Sequence, residues 1–278
     1  MRSKKQAGSS VVNLTWEVHP SGYSWVWAAV RDNPIPVALR DDDAEQQPPK
    51  TLRRVLIPNS PANGRPYEPL KEYPGLHRTL SAVKPSEAEI ADFAARFGPL
   101  TRTHIDTTRF TDLKGLESRP GDSLSEWQVE IENLRNLISL WETHRRKPTR
   151  EVTEEFRKVL NLRLEDIRLV VGPDLDVELE PRSLRSAIWF QFWREIRGQV
   201  DLLRCVECHE WFKYNRQSIK TERRFCSQAC RSKAYRRRQE KARSLHRRGV
   251  PISQIAKRLR SKLPIVTDWI TRGDGSTD

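Results

Sequence analysis

The stretch Leu202 to Arg238, LLRCVECHEWFKYNRQSIKTERRFCSQACRSKAYRRR, holds all four cysteines of the chain and sets how the rest is read. Cys205 and Cys208 are separated by two residues, Cys226 and Cys230 by three, and the seventeen residues between the pairs accommodate a short hairpin. A turn of two or three residues lets both thiolates of a pair point at one metal at about 2.3 Å. The spacing therefore predicts one zinc ion held by Cys205, Cys208, Cys226 and Cys230. Four thiolates leave no open position, so the expected site is structural and not catalytic. Disulfides are the alternative. The chain of 278 residues is large for a stapled scaffold, starts without a signal-peptide core, and confines its cysteines to residues 205–230. These features favour zinc and a cytoplasmic location. His209 follows Cys208 directly and is read as a bystander, because the cysteines complete the ligand set.

The two halves of the stretch call for different backbones. Cys205-Val-Glu-Cys208 precedes Trp211, Phe212 and Tyr214 and reads as a knuckle leading into a hairpin. Phe225-Cys226-Ser-Gln-Ala-Cys230 opens a long helical stretch with Ser227 as N-cap. A knuckle, a hairpin and a helix sharing one ion make a treble-clef arrangement. The string C-x2-C-x3-F, then R-x-F-C-S-x-x-C, then a tract of Lys and Arg is similar to the CGNR-type zinc finger of bacterial regulators, which sits behind an N-terminal domain called ABATE. The matching positions are Cys205, Cys208, Phe212, Arg223, Phe225, Cys226, Ser227 and Cys230. Where that family has Cys-Gly-Asn-Arg, this chain has Cys230-Arg231-Ser232-Lys233, so the likeness is to a CGNR-like finger. It implies a DNA-binding transcriptional regulator whose N-terminal region senses a small-molecule effector or a partner.

Charge is placed unevenly. Residues 203–262 carry 19 Lys plus Arg and 4 Asp plus Glu, while the remainder carries 31 and 33, so the whole excess of +13 lies on the cysteine module and the basic segment C-terminal to it. That is the electrostatic footprint of a polyanion partner. No apolar run approaches the ~20 residues of a membrane helix, so no membrane partner is expected.

The expected fold is mainly α, with a small irregular or β-containing N-terminal part at residues 1–85. In that part Ser24–Val30 and Lys50–Ile57 read as strands, Asp41–Asp43 and Gln46–Pro49 as loop, and Trp16, Trp25 and Trp27 as packing residues. A helical domain covers 86–198, the two parts together forming one ABATE-like sensor if the likeness holds. Ser86-Glu-Ala-Glu89 and Ser123-Leu-Ser-Glu126 are capping boxes. Behind the second, Trp127, Ile131, Leu134, Ile138 and Trp141 form a helical stripe. A further helix covers Thr153–Leu164, the stretch around Gly172-Pro173 reads as a short hairpin or an extended connection, and Ser183 caps a helix over Leu184–Arg197. Glu126, Glu130, Glu132, Glu154 and Glu155 read as solvated helix faces and not as a catalytic pair.

The treble-clef finger with its long basic helix covers 199–248, and a helix-turn-helix-like tail covers 249–278. In the tail, Ile255, Ala256 and Leu259, then Val266, Trp269 and Ile270 form two short apolar faces, a pattern similar to the helix-turn-helix of resolvase- and transposase-type DNA readers. Arg260 stands at the usual turn glycine and Ser261 at the buried turn position. The expected nucleic-acid contacts are Arg231, Lys233, Arg236, Arg237, Arg238, Lys241, Arg247, Arg248, Lys257 and Thr267. Tyr214 and Tyr235 either stack on bases or pack on the finger. The leading expectation is a DNA-binding protein, a homodimer if its target is palindromic, and not an enzyme. RNA binding is the alternative, and a treble-clef nuclease ranks third.

Overall fold

The computed structural model describes residues 14–31, 50–60, 64–101, 104–105, 119–120, 122–147, 149–172, 175–214 and 223–271. The expected loops at Asp41–Asp43 and Gln46–Pro49 lie outside the described residues. The chain divides into two compact units, Met1–Leu202 and Leu203–Asp278. α-Helices dominate and the sheets are small.

In the first unit, β1 (Trp16–Val18) pairs antiparallel with β4 (Arg65–Tyr67). β2 (Tyr23–Arg31) pairs along its full length with β3 (Lys50–Pro58), from Tyr23 opposite Pro58 to Arg31 opposite Lys50. β5 (His104–Ile105) pairs with β6 (Arg119–Pro120), and β7 (Asp122–Ser123) adds to the free edge of β3. Among the described residues, six helices follow the strands or lie between them: α1 (Pro69–Glu72), α2 (Leu76–Ser81), α3 (Glu87–Phe97), α4 (Leu124–His144), α5 (Arg150–Arg163) and α6 (Leu184–Ile196). Between the last two, β8 (Ile167–Val171) and β9 (Val177–Pro181) form a hairpin. Residues 65–81, read from sequence as irregular, contain β4, α1 and α2; elements this short carry no periodicity to detect.

The caps explain where the long helices begin. Ser123 Oγ accepts from Glu126 N while the Glu126 carboxylate accepts from Ser123 N, closing the full capping box of α4. Ser183 and Ser186 close a second full box, whereas at α3 only half of the expected box forms: Ser86 Oγ accepts from Glu89 N, while Ser86 N donates to Lys84 O instead of to Glu89. Thr149 starts α5 three residues earlier than the sequence suggests. Gly98 ends α3 at φ 85, and an added Cβ there would lie 2.5 Å from Glu17 O, so no side chain fits. One apolar cluster then joins both sequence segments. Trp16, Tyr23 and Leu56 from the N-terminal strands pack with Ile90, Phe93, Trp127, Ile131, Leu134, Trp189 and Phe192 from the helices.

Two readings are corrected. Glu130 does not face water: its side chain is buried, accepts from Trp189 Nε1 at 2.8 Å, and pairs with Arg163 Nη1 at 2.8 Å. Burial raises its pKa, and the Arg163 charge and the Trp189 hydrogen bond oppose that. Trp27 is not in the core. It is 56% exposed and lies under the Arg54 guanidinium, whereas Trp16 and Trp25 donate to Pro99 O and Glu87 O.

β10 (Asp201–Arg204), in which the second unit begins, pairs with β11 (Trp211–Tyr214), and α7 (Gln228–Arg247), α8 (Ile252–Arg258) and α9 (Leu263–Thr271) come after them. Residues 199–248 and 249–278, read separately in the sequence, fall into this one unit from Leu203 onward.

Candidate metal centre and basic helical face

The β10–β11 connection carries the first cysteine pair. His209 N donates to Cys205 O at 3.0 Å and Cys205 N to Glu210 O at 2.9 Å, and His209 takes the left-handed φ of 62 that folds the knuckle back. Its imidazole is not part of the ligand group, as expected. The second pair sits at the start of α7. Ser227 Oγ accepts from Cys230 N at 3.2 Å, which places Cys226 just before the helix and Cys230 in its first turn. The approach is braced by Arg223, which donates to Phe225 O and Cys226 O and spreads its guanidinium over the ring of buried Phe212. Phe212 and Arg223, noted in the sequence only as matching positions, therefore hold the second knuckle in place.

The four sulfurs all lie within 4.8 Å of one another, with Cys208 Sγ 3.6 Å and Cys230 Sγ 3.5 Å from Cys226 Sγ, and all four cysteines are free thiols. Tetrahedral thiolate coordination at a metal–sulfur distance of about 2.3 Å requires sulfurs about 3.8 Å apart. The donor set and spacing fit a four-coordinate ion. Electrostatics agree. At Cys205, desolvation acts upward, but the backbone N–H groups of Cys208, Cys226 and Glu207 overcome it and bring the thiol down to about 6. At Cys208 desolvation and the neighbouring cysteines push the thiol up to about 12, and Cys226 is raised for the same reasons. A divalent cation bound at the centre of such a cluster would favour the thiolate form of its ligands.

α7 leaves the cysteine cluster at one end and builds a helical core at the other. Ala242 is buried with Ile255 and Ala256 of α8 and Val266, Trp269 and Ile270 of α9, flanked by Leu245 and Leu259. The two apolar faces read in the tail thus close on the basic helix. Three side chains of α7 tie it further. Tyr235 accepts from Trp269 Nε1 at 2.7 Å and meets its ring edge-on, so it packs on α9. Arg238 donates to Leu259 O and Ser261 Oγ in the turn between α8 and α9, and Arg243 donates to Trp269 O. In that turn Arg260 adopts φ 47, the conformation for which glycine is usual.

These contacts sort the ten expected nucleic-acid contacts. Arg238 is engaged with the turn. Lys233 and Arg237 approach the nearly buried carboxylate of Glu207 at 4.0 and 3.5 Å. Thr267 Oγ1 donates back to Leu263 O at 3.1 Å. The side chains of Arg231, Arg236, Lys241, Arg247, Arg248 and Lys257 are exposed and show no hydrogen bond or ion pair to another described residue. Arg258, Arg260 and Lys262, not among the contacts expected from the sequence, are also exposed; their closely spaced basic run was the available signal. None of the helices among the described residues is long and apolar enough to cross a membrane. The chain was compared with protein-family models, with curated proteins and with solved structures, and none matches it.

Proposed function

We propose that the chain is a zinc-dependent nucleic-acid-binding protein of CGNR-like type that acts on duplex DNA as a transcriptional regulator. The observation that carries this reading is the position of α7. One helix contributes Cys230 to the thiolate cluster, packs two short helices against its far half, and leaves the side chains of Arg236, Lys241, Arg247 and Arg248 without partners among the described residues. Zinc is the ion that suits four thiolates at tetrahedral spacing and a structural role. It fixes the start of α7 and performs no chemistry. The exposed guanidinium and ammonium groups provide counterions for phosphates, and α9, second helix of the turn, is the element offered to the major groove. In this reading the first unit senses an effector or a partner, the role implied by the ABATE-like layout.

RNA binding is the second reading, because unpaired basic side chains on a helix neutralise either backbone. Selection of the zinc-loaded protein against a randomised pool of duplex DNA and structured RNA separates the two. A recurrent duplex motif is expected; enrichment of RNA, or of nothing, rejects the DNA reading. A companion measurement uses Arg236→Ala, Lys241→Ala, Arg247→Ala and Arg248→Ala together, which spares the engaged Arg237 and Arg238. If all four meet phosphates, the slope of log affinity against log salt falls by about four.

A further inference from the structure

The β8–β9 hairpin carries a surface that the first unit does not use. Opposite residues of the pair share a face, so Ile167, Leu169 and Val171 line up with Pro181, Leu179 and Val177. The proximal part of this face packs on the core: Ile167 and Leu179 border the main apolar cluster and Pro181 is buried. The distal part does not. Leu169 is 72% exposed, Val171 67% and Val177 60%, and Leu175 in the connecting turn is 82% exposed. These are side chains that a solvated hairpin tip has no reason to carry. Leu175 also sits at φ 62, where a branched residue is strained and Gly or Asn is the ordinary choice. The strain keeps an apolar side chain on the tip where a polar or absent one would relax it. A two-stranded hairpin anchored only at its base is marginal by itself, and it gains when its distal half is covered.

We propose that this face is where two copies of the chain meet, hairpin packed on hairpin about a two-fold axis. Charge identifies the partner. Residues 1–202 carry 30 Lys plus Arg and 30 Asp plus Glu, so two first units approach without net repulsion, whereas residues 203–278 carry 20 and 7 and repel their own kind. The polar face of the same hairpin bears both signs, Arg168 opposite Glu180. The four exposed aliphatic residues present on the order of 500 Å² of largely apolar surface, the upper end for a free-standing domain. Doubling it by two-fold packing gives about 1,000 Å², the size at which a specific interface begins. The pairing would hold two basic units on one assembly, but the surface it rests on lies in the first unit and stands apart from the nucleic-acid reading.

The test is sedimentation equilibrium of the full zinc-loaded chain over a range of concentrations. The expected result is a species of twice the 32.5 kDa chain mass. Leu169→Ser with Val177→Ser should weaken association by at least about tenfold, the loss expected when two central apolar anchors become polar. If that double variant fails to fold, Leu175→Gly keeps the test, because it relaxes the backbone. It should raise the melting temperature and weaken the dimer together, whereas a residue with a purely local role would do only the first. A monomer at every concentration, or a dimer untouched by both variants, overturns the proposal. Binding to phospholipid vesicles that depends on Leu169 and Val177, with no self-association in solution, overturns it in favour of a lipid surface.

Discussion

Among the described residues, the first unit buries 28 apolar side chains in one cluster, whereas the second buries six around α7, α8 and α9 and gathers four cysteines at the opposite end of α7. The first unit is large enough for burial to offset chain entropy. The second is of a size at which a core alone seldom suffices. At one end of a helix it gathers four thiols spaced to take a metal ion, which when bound would cross-link that end, and at the other a small core is fastened by Tyr235, Arg238 and Arg243. The difference assigns each unit its vulnerability. Metal loss should unfold one and leave the other, and a cavity in the aromatic core should do the reverse.

The largest expected effect is that of metal removal. Structural zinc contributes about 10–16 kcal/mol in isolated fingers at neutral pH. Chelation, or Cys226→Ser, should therefore abolish amide-exchange protection in α7, α8 and α9 while protection in α3, α4 and α6 persists. Retention of one metal per chain and of protection in α7 by the Cys226→Ser protein would contradict the cross-linked account of the second unit.

The converse experiment is Trp127→Ala. Trp127 is fully buried and meets Phe93 edge-to-face at 5.8 Å, so truncation should cost about 3–5 kcal/mol. In urea the first unit should unfold earlier while metal content and α7 are unchanged. Simultaneous loss of both would show that the units are one cooperative block.

A smaller effect comes from the polar cluster inside the first unit. His77 Nε2 lies 2.6 Å from Glu195 Oε2, and Arg78 bridges Glu195 and Glu142. Desolvation acts to raise the pKa of Glu195, but hydrogen bonds and charge from His77 and Arg78 outweigh it and hold the carboxyl at about 2. A folded-state pKa below the unfolded value makes the stabilisation complete at neutral pH. It is lost as pH falls below about 4.5 toward 2, and the total is on the order of 2–3 kcal/mol. Glu195→Gln should be less stable than the parent at pH 7, and the gap should narrow as the pH is lowered to 3 and close only toward pH 2. A gap that is independent of pH would assign the loss to packing.

What was legible in the sequence was local. The cysteine spacing, the Ser86, Ser123, Ser183 and Ser227 caps and the stripe of α4 depend on residues within one or two turns, and they are found where the pattern places them. The misread residues have remote partners. Glu130 looks solvated until Trp189, 59 residues away, donates to it; Glu195, on which the local pattern says nothing, is held by His77 from 118 residues upstream. Likewise the density of arginines on α7 suggested a uniform phosphate clamp. That Arg238 fastens the turn and Arg237 faces Glu207 follows only from how the chain closes.

The subtlest prediction separates the fastening role of the second unit from its proposed binding role at one residue. Arg260 holds a left-handed backbone in the α8–α9 turn, a conformation that costs a residue with a Cβ about 1–2 kcal/mol. Glycine removes that strain and gives back part of the gain through the freer unfolded chain. Arg260→Gly should therefore stabilise by about 0.5–1 kcal/mol, read as a higher melting temperature. The same change deletes an exposed positive charge beside Lys262 at the start of α9. If this edge meets phosphate, affinity for nucleic acid should fall and the salt slope should decrease by about one. Stability and affinity would then move in opposite directions, the signature of a strained turn kept for what its side chain does. A rise in both would show that Arg260 contributes nothing to binding, and a loss of stability would show that the turn does not hold its backbone in the left-handed region.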